Sequence, residues 1–111
     1  SAFSENAPLT IMVCGKKDVW DMPYDTSAAI ENMLLMITAL GLGACWVIAL
    51  CIDIRDEEKT KELLCIPEGY KAVSLISVGH PTRPHRQRPR IPLNQLVFSE
   101  KWGEPYYKEK V

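Results

Sequence analysis

The chain has little surplus of anything. Its 111 residues carry 13 Lys and Arg against 14 Asp and Glu, a net charge of −1. That near balance creates no long-range field to draw in a polyanion, so neither a nucleic-acid partner nor an anionic membrane surface is expected. The stretch at residues 26–40 comes closest to a membrane span. It holds Glu31 and Asn32 and has no flanking basic cluster, whereas a span needs about 20 clean apolar residues. No secretory signal pattern opens the sequence. The four cysteines, Cys14, Cys45, Cys51 and Cys65, include no C-x-x-C pair. A zinc site from Cys45, Cys51, Cys65 and His80 is open on residue type, but its spacing matches none of the usual ligand pairs, and no metal is expected. Three of the cysteines sit in apolar segments, so the plain reading is buried free thiols in a reducing cytoplasm.

Catalytic constellations are equally scarce. His80 and His85 are the only histidines, and neither has a serine or cysteine placed to make it a nucleophile's base. Glu57, Glu58 and Glu62 read as one exposed helix face rather than an acid–base pair. No catalytic side chain is assigned.

What is present is an ordered series of parts, about one small domain in length. Residues 9–14 form a short β-branched apolar run, closed by Gly15-Lys16-Lys17, and read as a buried strand. Residues 16–24, with Trp20 and Pro23, read as a loop. Asp25 or Ser27 then caps a helix over residues 26–40. Its stripe is Ala29, Met33, Met36 and Leu40, but Ile30, Leu34, Leu35 and Ile37 fill the other faces. A helix apolar all round is buried on all sides, centrally or against a partner subunit. Gly41 or Gly43 ends it; the Gly-Leu-Gly is not a dinucleotide fingerprint, because those glycines open a helix. A second buried strand covers residues 45–50. A polar helix follows over residues 56–64, with Leu63 and Leu64 on its packed face and Pro67 as its stop. Residues 72–78 form a third strand. Ser74 and Ser77 break its alternation, so both faces are expected to be covered.

Between residues 81 and 92 four prolines exclude a regular helix or central strand. Arg83, Arg86, Arg88 and Arg90 occur there without an acid among them. They read either as a solvated loop or as forks for a phosphate; a compact prolined loop is a poor nucleic-acid reader. Residues 82–111 are expected to be an extended basic and aromatic arm on a single domain, residues 1–111. Strands alternating with helices indicate an α+β or α/β layered sheet.

The segments 7–15, 25–33, 40–46, 62–70 and 78–81, in that order, resemble the FMN-dependent nitroreductase family. The resemblance implies an α+β fold: part of a layered α-β-α sandwich, with a mixed sheet and a buried central helix, working as a homodimer with FMN in clefts at the interface. It places the strand after the glycine stop, Trp46, Val47, Ile48 and Ala49, along the flavin ring, where a backbone N–H stabilises charge developing on a ring nitrogen. It gives Arg88 and Arg90 the FMN phosphate. The family often has glycine where this chain has Ile48 and Ala49. Its members are also longer at the N-terminus, with further phosphate ligands there, so the chain is expected to be a fragment. The implied function is NAD(P)H-driven two-electron reduction of a nitroaromatic, quinone or similar small acceptor. The alternative is a dimerising module that kept the fold and lost the flavin.

Overall fold

The computed structural model describes residues 6–48 and 54–107. Strand β1 (Leu9–Lys16), helix α1 (Met22–Ala39), strand β2 (Gly43–Val47), helix α2 (Ile54–Leu63) and strand β3 (Tyr70–Gly79) follow in order, then a 3-10 turn at Leu93–Gln95. The sheet runs β1-β3-β2, with β3 antiparallel to both neighbours. The fold is α+β. The expected mixture of parallel and antiparallel pairs is absent among the described residues: β1 and β2 run parallel to each other but lie on opposite sides of β3.

β3 is central and covered. Ala72, Ser74, Leu75, Ile76, Ser77 and Val78 are all buried, so consecutive side chains on both faces are hidden, as the broken alternation foretold. One irregularity interrupts its pairing with β1. Val13 pairs with Ser74 but Cys14 pairs with Ala72, which leaves Val73 as the extra residue of a bulge.

α1 begins earlier than its sequence suggests. Asp21 is the cap residue, Pro23 lies in the first turn, and Asp21 makes no side-chain capping bond. Neither Asp25 nor Ser27 caps the helix. Ser27 Oγ instead donates to Pro23 O at 2.6 Å, and Asp25, in the first turn, lies where a carboxylate favours the helix dipole. Pro23 is compatible because a first-turn N–H has no helical acceptor to lose. The other end follows the sequence. Gly41 takes φ +75°, with Gly41 N–H to Thr38 O and Leu42 N–H to Ile37 O, both 3.0 Å. That is a Schellman end, which favours glycine at the left-handed position.

Within this chain the helix is not buried on all sides. Met22, Thr26, Ile30 and Ile37 face the sheet, and Ile30, Ile37, Ile76 and Val78 form the core, with Ile11, Val13, Met33, Leu34, Leu42 and Trp46 packed around it. Leu35, Met36 and Leu40, two of which belong to the expected stripe, are 61–66% exposed. An all-apolar helix does not announce which face docks. Here the β-branched pair Ile30 and Ile37 meets Ile76 and Val78; of the stripe only Met33 packs at the core, while Ala29, Met36 and Leu40 are exposed.

α2 packs by charge. Leu63 and Leu64 are exposed, while Glu57 and Lys61, one turn apart, are buried. Glu57 is therefore neither on an exposed face nor free: Lys71 Nζ donates to its Oε2 at 3.1 Å. The helix ends in a second Schellman turn with Cys65 at φ +55°, where Ile66 N–H reaches Lys61 O at 2.9 Å. The thiols are less hidden than expected: Cys45 and Cys65 are exposed and Cys14 is half-buried. Cys51 lies outside the described residues. No described helix is long and apolar enough to cross a membrane.

Candidate cofactor site at the exit of strand β2

Strand β2 is only five residues long and lies at one edge of the sheet. Its ladder with β3 runs from Gly43–Gly79 to Val47–Leu75. Trp46 is half-buried, with its ring against the α1 side of the core. Its indole Nε1–H donates to Ser74 Oγ at 2.8 Å. Val47 is buried and Ile48, just past the strand, is 49% exposed. Ala49, the last residue of the expected flavin ribbon, lies outside the described residues.

Arg88 and Arg90 lie on the segment that follows β3, which is exposed from residue 80 to residue 91. Arg90 Nη1 donates to Arg88 O at 3.4 Å, so the two guanidinium groups share one short piece of backbone. The segment then reaches the Leu93–Gln95 turn and a small loop closed by the Phe98–Pro105 bridge. Phe98 and Trp102 meet on it at a tilt of 54°, ring centres 5.0 Å apart, and Trp102 is 91% exposed.

A cleft at one end of the sheet lies elsewhere. About 310 Å3 opens at the Gly43–Gly79 end, lined by Pro8, Cys45, Ser77, His80 and Thr82 among others. Trp46, Val47 and Ile48 do not line it; the ribbon leaves from the opposite end of β2. Cys45 and His80 therefore share a rim, but among the described residues no group of His, Cys, Asp and Glu is arranged to hold a metal. Burial pushes the Cys14 thiol up from its ordinary pKa, and the positive charge of Lys61 opposes that shift without overcoming it. Such a thiol is a poor nucleophile.

These parts have counterparts in known proteins. A family model for the nitroreductase family matches residues 1–80. The chain belongs to the nitroreductase family. A protein of Archaeoglobus fulgidus, provisionally named an NADH dehydrogenase/NAD(P)H nitroreductase, is 39% identical over 83 residues, covering 68% of this chain and 46% of that one. The FMN reductase (NADPH) of Bacillus subtilis is 32% identical over 77 residues, 68% of this chain and 29% of its own length. A crystal structure of a nitroreductase family protein from Clostridium difficile 630 aligns with a TM-score of 0.71 at 28% identity, over 88% of this chain and 62% of that one. A nitroreductase with bound FMN from Bacteroides fragilis aligns at 0.72 over 90% and 55%; its 24% identity speaks for the fold alone. The chain spans about half the length of its archaeal relatives, 46% and 54%. All three strands of this nitroreductase sheet fall within the family match; Arg88 and Arg90 lie beyond it.

The donor chemistry fits FMN. Two exposed guanidinium groups on an acid-free segment suit a phosphate dianion, since each offers a planar fork. The backbone leaving an edge strand has N–H and C=O groups that no further strand of the described sheet takes up, and such groups can meet the polar edge of a flat ring. Sequence reasoning named Trp46 as an expected ribbon residue but not Ser74, the acceptor of its indole N–H. The one available signal was a serine interrupting an otherwise apolar strand.

Proposed function

We propose that this chain belongs to an FMN-dependent oxidoreductase, which takes reducing equivalents from NAD(P)H and gives them to a small acceptor such as a nitroaromatic or quinone. Membership of the nitroreductase family, over the residues that include β2, carries this reading. The names of the relatives support it: one is an FMN reductase (NADPH). When bound, FMN supplies the two-electron chemistry, and the protein binds, orients and tunes it.

The residues then divide the work. The backbone of Trp46, Val47, Ile48 and Ala49 holds the ring edge, and an N–H aimed there favours negative charge on it. Arg88 and Arg90 hold the phosphate. No side-chain acid or base is needed for this chemistry, and none is assigned. The apolar residues that α1 leaves outward, Leu35, Met36 and Leu40, suit cover by a second copy in a homodimer, because contiguous exposed apolar surface marks an interaction site.

The absorbance spectrum of the full chain after mixing with FMN and gel filtration tests the proposal. Retained flavin bands, released on denaturation and diminished by Arg88→Ala with Arg90→Ala, are the expected result. A colourless dimer would favour the dimerising module that lost its flavin, for which the bulk of Ile48 at the ribbon is the motivating feature.

A further inference from the structure

We infer that Ser74 is a positioning residue for the flavin ribbon, acting through Trp46; the inference rests on the flavin reading above. The last rung of the β2–β3 ladder is Val47 with Leu75. If the ladder continued, Ile48 would face Ser74, but β2 ends first. Trp46 bridges that gap with its side chain. Its indole N–H reaches Ser74 Oγ at 2.8 Å and adds a cross-strand link just where the backbone links stop.

Three further observations make this link a fixed one. Ser74 is 1% exposed, so its hydroxyl has no water to turn to, and an unmade bond there carries the cost of a buried polar group. The bulge at Val73 lies directly beside it; bulges re-aim side chains and recur next to functional sites. The Trp46 ring is also gripped by the Ile30, Ile37, Ile76 and Val78 core. The indole is thus held by packing along its body and by a hydrogen bond at its tip, and the Trp46 backbone is fixed from its own side chain. Among the described residues, the ladder of this five-residue edge strand ends at Val47–Leu75.

The consequence is a division of labour within one strand. The β2 backbone presents N–H groups to the ring, and Ser74, buried on β3, sets where they point. A shift of a fraction of an ångström at the exit misaligns those donors and weakens their hold on the ring.

FMN titration of the full chain, followed by quenching of flavin fluorescence, tests this with wild type, Ser74→Ala, Ser74→Thr, Trp46→Phe and the Ser74→Ala/Trp46→Phe double variant. Melting temperature is recorded for each, and titrations are run well below it. Ser74→Ala and Trp46→Phe should each raise the FMN Kd roughly tenfold, the scale of one lost buried hydrogen bond. The double variant should be no worse than Trp46→Phe alone, and Ser74→Thr, which keeps the hydroxyl, should stay near wild type. The absorption band of bound flavin at saturation should shift in Ser74→Ala. If Ser74→Ala lowers only the melting temperature, with Kd within twofold and an unchanged band, Ser74 is a packing residue and the inference is wrong while the flavin reading stands. If Ser74→Ala does not fold, Trp46→Phe decides by the same criteria. Wild type that binds no FMN removes the flavin reading and this inference together.

Discussion

Lys71 Nζ donates to Glu57 Oε2 at 3.1 Å, tying the first turn of α2 to the start of β3. The Glu57 side chain is only 10% exposed and that of Lys71 is 44% exposed. The pair therefore sits at the rim, with its acid inside. Lys71→Met should cost about 1–2 kcal/mol, because the carboxylate keeps its burial and loses its partner; the open side of the lysine holds the figure at the low end. Glu57→Gln keeps an acceptor without the charge and should cost less. Urea denaturation of both variants gives the comparison. Equal losses would mean that the charge plays no part.

The two helix ends make a matched pair of tests. Gly41 and Cys65 both occupy the left-handed position of a Schellman turn, at φ +75° and +55°. A Cβ costs about 1–2 kcal/mol in that conformation. Cys65→Gly should therefore stabilise the chain by about 0.5–1 kcal/mol, after the extra freedom of an unfolded glycine is subtracted. Gly41→Ala should destabilise it by about 1 kcal/mol. A Cβ at Gly41 meets nothing within 4 Å, so conformation alone sets that loss. Thermal melts followed by circular dichroism read both, and a Cys65→Gly variant that melts lower would contradict the account.

How far the fold can be read from the sequence depends on which physical signal a segment carries. The end of α1 was legible because Gly41 has a conformational reason to be there. The start was not, because Trp20 and Pro23 look like loop residues and a first-turn proline is indistinguishable from a breaker without coordinates. The burial of β3 was legible from Ser74 and Ser77 falling out of alternation. The packed face of α2 was misread, since leucine is the usual buried residue and nothing local shows that Glu57 has Lys71 waiting across the interface. At the site, the type and order of residues around Trp46 pointed to the strand. The partner of its indole lies 28 residues away on β3, and only the strand register brings Ser74 under it.

Gly15 and Met22 are fitted to each other. A Cβ at Gly15 would run into the Met22 side chain at Cγ and come within 3.2 Å of Thr26 Cγ2. Gly15 is buried and Met22 is 8% exposed, which leaves little room to yield. Gly15→Ala should cost about 1–3 kcal/mol by overpacking. Met22→Ala alone should cost about 2–4 kcal/mol through the cavity it leaves. The double variant should lose less than the sum, by about 1 kcal/mol, because each change makes room for or fills the other. Strict additivity in denaturant titrations would show that the two residues do not share the space.

The thiols should separate by chemistry. Cys45 and Cys65 are exposed and Cys14 is half-buried on β1. Desolvation raises the Cys14 pKa, with Lys61 pulling the other way, so Cys14 holds less thiolate than an open thiol at the same pH, and only thiolate is alkylated. Iodoacetamide labelling of the folded chain at mildly alkaline pH, read peptide by peptide in a mass spectrometer, should modify Cys45 and Cys65 before Cys14. The same shift has a stability consequence. A proton held more tightly in the folded state than in the unfolded one makes stability fall as pH rises through the thiol range. Cys14→Val should flatten that part of the pH–stability curve relative to wild type. Cys14 labelling as fast as Cys65 in the folded chain would show that β1 does not shield it.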